Sequence, residues 1–112
     1  MKIYHNPRCT KSRQGLALLK ESGADFEVIE YLKNPLNESE LKEILKKLNI
    51  PAIELVRKNE AVWKENFKNK DLSEAELIAA MVANPKLIER PIVVQGNTAV
   101  IGRPTEKIKE IL

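Results

Sequence analysis

The first third of the chain alternates apolar and polar residues in a pattern that predicts a β-α-β unit. Residues 2–5 predict a short strand, residues 12–22 carry leucines at helical spacing, and residues 26–31 are rich in strand-forming side chains. Gly23 stands where the C-cap of the helix is expected. A strand, a helix and a strand in this order predict a parallel strand pair joined by a right-handed crossover.

The middle of the chain, about residues 35–86, follows helical periodicity instead. Two of its segments begin with the pattern of a capping box, Asn37 with Glu40 and Ser73 with Glu76. We interpret this stretch as a helical block inserted between two halves of one sheet.

The last quarter of the chain predicts a β-hairpin followed by a helix. Residues 91–95 and 98–101 have strand composition, and Gly96 with Asn97 is a tight-turn signal between them. A final amphipathic helix is expected after Pro104. The hairpin and helix form a β-β-α half, which we expect to share one sheet with the β-α-β half at the start.

These elements predict an α/β fold in which a mixed sheet is interrupted by the helical block. The 112 residues, 43% hydrophobic and 31% charged, suffice for one domain with a real core. We expect a single domain over residues 1–112, whose core comprises about residues 1–34 and 87–112.

Composition and charge exclude several classes of protein. No apolar run approaches the roughly 20 residues needed to span a membrane, and we expect neither a secretion signal nor membrane association. The net charge of +3 is too small to argue for a nucleic-acid partner. One cysteine excludes an internal disulfide, and no metal-ligand cluster is present, so cytoplasmic localisation is the default expectation.

That single cysteine, Cys9, lies between the first predicted strand and the first predicted helix. Unpaired N–H groups and the helix dipole favour a negative charge there, and Arg8, Lys11, Arg13 and His5 add formal or potential positive charge. Such surroundings lower a thiol pKa from about 8.5 towards roughly 3.5–7.5. The same N–H groups form an anion site, so a nucleophile and an oxyanion cradle coincide.

Two neighbours of Cys9 each allow two interpretations. Ser12 stands where a dithiol motif has its second cysteine, so a covalent intermediate on Cys9 needs an external thiol to resolve it. Ser12 either caps the helix or donates a hydrogen bond to the thiolate. His5, the only histidine, is either structural or close enough to bias the Cys9 proton.

Three arginines are further candidates, namely Arg57, Arg90 and Arg103. One interpretation is three surface cations, and the other is a guanidinium cluster that binds a tetrahedral oxyanion bidentately. Sequence spacing alone does not bring them together. Arg13 is unfavourable for the dipole in a first helical turn, which suggests a purpose such as holding an anion. Arg8 is interpreted as an exposed charge.

These residues resemble a known family, the glutathione- and glutaredoxin-linked arsenate reductases of bacteria. Four segments in the right order, spanning nearly the whole chain, carry the resemblance: HNPRCTKSR at 5–13, LVRKN at 55–59, ERPIVV at 89–94 and AVIGRP at 99–104. The resemblance implies a thioredoxin-like fold with a helical insertion, in which Pro91 is a cis-proline facing Cys9.

The resemblance also implies the roles of the site residues. Cys9 is the nucleophile, His5 assists thiolate formation, and Arg57, Arg90 and Arg103 bind the oxyanion. We add Ser12 to the catalytic group, and we add three residues of the cysteine loop to the oxyanion-binding group: Thr10, Lys11 and Arg13.

The implied activity is the reduction of arsenate to arsenite. Glutathione serves as co-substrate, glutaredoxin as partner, and no cofactor is tightly bound. Three alternatives stay open: general monothiol glutaredoxin-like thiol–disulfide exchange, a non-enzymatic redox-sensing transcription regulator of the same fold, and a phosphate- or sulfate-binding relative without reductase activity.

Overall fold

The computed structural model describes all 112 residues, and the chain divides into two compact units. The first unit comprises Met1–Asn34 and Arg90–Leu112, and the second comprises Pro35–Glu89. The inserted block was predicted to end at about residue 86. The second unit continues to Glu89, because Glu89 N–H donates to the Leu55 carbonyl at 2.9 Å.

The first unit is built on a four-stranded sheet with the order β2-β1-β3-β4. β1 pairs in parallel with β2, and β3 pairs antiparallel with both β1 and β4. This mixed sheet confirms the two predicted halves and the thioredoxin-like fold. The elements are β1 (Lys2–Tyr4), α1 (Thr10–Ser22), β2 (Glu27–Ile29), β3 (Ile92–Gln95) and β4 (Thr98–Ile101).

Helix α1 begins two residues earlier than the periodicity predicted. Cys9 is its N-cap, with the extended backbone (φ −96°, ψ 123°) that an N-cap requires. Gly23 ends the helix in the left-handed conformation at φ 74°, as predicted. The helix packs its apolar face on the sheet around four fully buried side chains: Ile3, Leu19, Val93 and Ile108.

The start of β3 is packed closely against two glycines. A Cβ on Gly15 would lie 2.8 Å from Pro91 Cγ, and one on Gly102 would lie 2.9 Å from the same atom. Helix α1 and the end of β4 therefore approach the Pro91 ring as closely as backbone allows. The Arg90–Pro91 peptide is cis, which confirms the cis bond expected at Pro91, and Arg103–Pro104 is cis as well.

The last predicted helix is a 3-10 helix over Thr105–Ile111. It contributes the buried Ile108, which packs against both α1 and β4, while Leu112 is exposed. Apolar spacing predicted that a helix would form, but it does not distinguish the two helix types over so few residues.

The regular elements of the second unit are all helices, and one isolated bridge joins Val56 and Ile88. Both predicted capping boxes are confirmed at the starts of α2 and α4, and these two helices pack together. None of the helices in the chain is long and apolar enough to cross a membrane. The elements are α2 (Glu38–Leu48), α3 (Ala61–Asn66), α4 (Glu74–Ala83) and two 3-10 helices (Ala52–Leu55 and Pro85–Leu87).

Candidate active site

The candidate site is centred on the half-buried thiol of Cys9 at the N-terminus of α1. The loop before it closes as a tight turn, in which Cys9 N–H donates to the Asn6 carbonyl at 3.0 Å. Arg13 N–H then donates to the Cys9 carbonyl at 3.0 Å as the first helical hydrogen bond. The first turn contains no acidic residue, so nothing offsets the positive end of the helix dipole at the sulfur.

Ser12 is completely buried beneath this loop. Its Oγ lies 2.7 Å from His5 Nδ1 and accepts a hydrogen bond from Asn6 N–H at 2.9 Å. The hydroxyl thus joins the first turn of α1 to the end of β1. The sequence suggested that the Ser12 hydroxyl caps the helix or donates to the thiolate. In the structure it makes neither contact.

The pKa of the Cys9 thiol lies below its ordinary value, because several groups favour the thiolate. Burial raises the pKa, but the hydrogen bonds that the Ser12 backbone N–H and the Arg90 guanidinium offer to the sulfur lower it. The charges of Arg103 and Arg90 lower it further. A helix N-terminus and two guanidinium groups therefore stabilise the nucleophilic form.

Arg103 connects the sulfur to the residue before the cis-proline. Its Nε donates to the Arg90 carbonyl at 2.7 Å, and its Nη2 donates to Cys9 Sγ at 3.4 Å. A planar guanidinium held at one nitrogen is fixed in direction at the others. The Arg90 side chain is itself buried, with 7% exposure. The structure thus brings two of the three predicted arginines to Cys9.

Arg57 belongs to the second unit, where two carboxylates flank it. Its Nε lies 3.8 Å from Glu89 Oε1, and its Nη1 lies 4.0 Å from Glu60 Oε1. Its backbone N–H donates to the Leu87 carbonyl at 2.7 Å, which fixes the start of the side chain. The buried Nη1 makes no hydrogen bond. The convergence of Arg57 with the other two arginines stays a prediction.

The cations of the loop differ in their surroundings. Arg13 Nη1 donates to the Pro7 carbonyl at 3.0 Å, and its Nη2 donates to Thr10 Oγ1 at 3.2 Å. Arg13 therefore bridges the two sides of the cysteine loop, which is a physical reason for a cation in this first turn. Lys11 and Arg8 are exposed.

His5 is buried, and this burial lowers its pKa below 6.5. The nearby Glu30 charge and a hydrogen bond to Ser12 act in the opposite direction without overcoming burial, while the charges of Lys20 and Arg13 lower the pKa further. The imidazole is accordingly neutral near pH 7. Its contact with Ser12 is the structural role weighed from the sequence, and an effect of His5 on the Cys9 proton stays a prediction.

The sequence profile of the ArsC family matches residues 4–111, nearly the whole chain. The chain belongs to the ArsC family. The arsenate reductase of Haemophilus influenzae is 46% identical to it, over 98% of this chain and 97% of that protein. "Uncharacterized protein YfgD" of Escherichia coli strain K12 is 53% identical, over 100% of this chain and 96% of its own. The solved structure of the arsenate reductase from Vibrio cholerae superposes with a TM-score of 0.94 at 45% identity, over 100% of this chain and 98% of that one.

Sequence reasoning missed two residues of this ArsC-family site, Asn6 and Glu30. Asn6 is buried, and its Oδ1 accepts the Arg8 N–H at 3.1 Å, while its backbone supports both Cys9 and Ser12. The Asn-Pro dipeptide is a turn signal that could have identified it. Glu30 raises the pKa of His5, and the parallel pairing of β1 and β2 brings the two residues near each other. No local sequence motif predicts that proximity.

Proposed function

We propose that this ArsC-family chain reduces arsenate to arsenite, with Cys9 as the nucleophile and glutathione with glutaredoxin as the external reductant. The observation that carries the proposal is the Arg103 guanidinium, anchored on the Arg90 carbonyl and directed at the Cys9 sulfur. The names of the Haemophilus influenzae and Vibrio cholerae relatives support arsenate as the substrate.

The proposed reaction begins with the Cys9 thiolate attacking arsenic(V). A sulfur–arsenic bond forms, and one arsenic-bound hydroxyl leaves as water after taking up a proton. Arg90 and Arg103 balance the oxyanion charge by electrostatics and by bidentate hydrogen bonds. The family resemblance implies Arg57 as the third oxyanion ligand, and that role stays a prediction.

A second thiol is required to complete the reduction, since the chain has a single cysteine. Glutathione supplies it, and the electron pair of the sulfur–arsenic bond passes to arsenic as a disulfide forms. In total, arsenate and two thiols give arsenite, one disulfide and water. Glutaredoxin then reduces the mixed disulfide and returns Cys9 to its thiolate form.

The anchored arginine also separates this proposal from general thiol–disulfide exchange. Exchange between uncharged disulfides needs a thiolate and access, but it does not need a guanidinium fixed 3.4 Å from the sulfur. Attack on a charged oxyanion does need a guanidinium held beside the sulfur, because the guanidinium neutralises the charge of the oxyanion.

The test is arsenate-dependent oxidation of NADPH with glutathione, glutaredoxin and glutathione reductase present. We expect turnover by the native protein, none by Cys9→Ser, and an unchanged far-UV circular dichroism spectrum for that variant. NADPH oxidation at the same rate without arsenate, given a small mixed disulfide, would instead indicate a general exchange enzyme. Turnover retained by Cys9→Ser would overturn the nucleophile assignment.

A further inference from the structure

A pocket of about 240 Å³ lies beside the cysteine loop, and the proposed oxyanion chemistry does not use it. Its walls are the turn that precedes Cys9 and the segment that follows β2. Most of its surface is apolar, and the ionic groups stand at the two walls. The lining residues are Asn6, Pro7, Arg8, Glu30, Leu32 and Lys33.

The pocket is close enough to the sulfur for one small molecule to reach both. The Cys9 N–H to Asn6 carbonyl hydrogen bond closes a four-residue turn. In such a turn the first and last Cα atoms lie within about 7 Å of each other. A tripeptide spans roughly 10 Å when extended. A thiol tripeptide can therefore hold its sulfur at Cys9 and one end in the pocket.

The side chains of the pocket suit a zwitterionic end of such a molecule. Arg8 is exposed and presents a guanidinium that matches a carboxylate. Glu30 and Lys33 form an exposed ion pair at 3.5 Å, which is weak enough to exchange partners with a ligand. Leu32 is one of three large apolar side chains that the protein exposes, and it offers an apolar wall to the intervening methylene groups.

We propose that this pocket binds the amino-acid end of the small tripeptide thiol that delivers electrons to Cys9. Arg8 and Lys33 take the α-carboxylate, Glu30 takes the α-ammonium, and Leu32 contacts the aliphatic stem. The inference rests on the proposed use of an external thiol. It gives Arg8 a role in selecting the reductant, distinct from the oxyanion-binding role proposed for Arg90 and Arg103.

The test uses disulfides and no arsenate. Cys9 thiolate attacks oxidised glutathione, which forms the Cys9–glutathione disulfide and releases one glutathione thiolate. The same thiolate attacks 2-hydroxyethyl disulfide, which is uncharged and has no amino-acid end. The ratio of the two second-order rate constants, followed by mass spectrometry, measures selectivity independently of the Cys9 pKa.

We expect the native protein to prefer oxidised glutathione. Arg8→Ala should lower the ratio about fivefold, the upper range for one exposed ion pair, and Leu32→Ser should lower it as well. The rate with 2-hydroxyethyl disulfide should stay within about twofold for both variants. Lys109→Ala, which removes an exposed cation from the terminal 3-10 helix, should leave the ratio unchanged.

Two results would overturn the proposed role of the pocket. One is an Arg8→Ala ratio equal to the native ratio. The other is an equal fall in Lys11→Ala, because Lys11 is an exposed cation of the cysteine loop outside the pocket, and general charge attraction would then explain the preference. Since no arsenate is present, failure of arsenate reduction would refute the proposed function and leave this measurement intact.

Discussion

Replacing Ser12 with alanine separates the two ways in which this residue can support Cys9. Ser12 is fully buried, and its Oγ satisfies His5 Nδ1 at 2.7 Å and Asn6 N–H at 2.9 Å. Ser12→Ala removes that oxygen and leaves two buried polar groups without their partner. The backbone N–H of residue 12, which favours the Cys9 thiolate, remains in place. We therefore expect a large loss of stability and a small change in the thiol pKa.

The magnitude follows from the two orphaned groups. Leaving one buried donor or acceptor unsatisfied costs about 1–3 kcal/mol, so for two groups we expect a loss of about 2–6 kcal/mol in the free energy of unfolding. The unfolding entropy of a 112-residue chain is about 0.24 kcal/mol per kelvin near its midpoint. The melting temperature should consequently fall by roughly 8–25 °C.

Urea denaturation followed by far-UV circular dichroism measures the stability, and ultraviolet absorbance of the thiolate measures the pKa. Ser39→Ala is the matched control, because Ser39 is exposed within helix α2 and alanine favours a helix. Native-like stability in Ser12→Ala together with a Cys9 pKa raised to its ordinary value would refute the reasoning. It would show that the hydroxyl acts on the sulfur rather than on the loop.

Three further outcomes are expected. Arg103→Lys keeps a charge but loses the planar fork, so the Cys9 pKa should rise, and an unchanged thiolate titration would contradict the proposed alignment. Gly102→Ala places a Cβ 2.9 Å from Pro91 Cγ, so urea denaturation should show a loss of about 1–3 kcal/mol, and native stability would show that the ring can move away. The lowered pKa of His5 means that its contribution to stability is complete above about pH 6.5 and is lost as the pH falls through the lowered value. His5→Gln should flatten the decline in unfolding free energy below that pH, and an unaltered decline would assign it to other groups.

Elements whose signals are local could be predicted from the sequence. Capping boxes, the Gly23 cap and the hairpin turn at Gly96 each depend on residues within four positions of one another, and all were found. The thiol at the start of a helix was predictable for the same reason. Apolar spacing over a few residues could not show that the last helix, Thr105–Ile111, is a 3-10 helix.

Features that depend on distant pairs could not be predicted from local pattern. The bridge from Arg103 to Cys9 exists only because β3 lies between β1 and β4 in the sheet. The hydroxyl of Ser12 was assigned to capping or to the thiolate, because no sequence rule places the end of β1 above it. His5 was identified as a candidate, but its neutral state comes from burial that only the packed loop creates.

The sequence separation between Cys9 and Arg103, 94 positions, ties the reactivity of the thiol to the folding of the whole first unit. In a nascent or unfolded chain the Arg103 guanidinium is not beside Cys9, and bringing the two residues together requires loop closure across the entire inserted unit. Cys9 should therefore behave as an ordinary thiol during synthesis and become a strong nucleophile only upon completion of the sheet. The rate of thiol modification at a fixed pH should accordingly report how far the first unit has folded. Incompletely folded molecules, with a less reactive thiol, should also be oxidised more slowly.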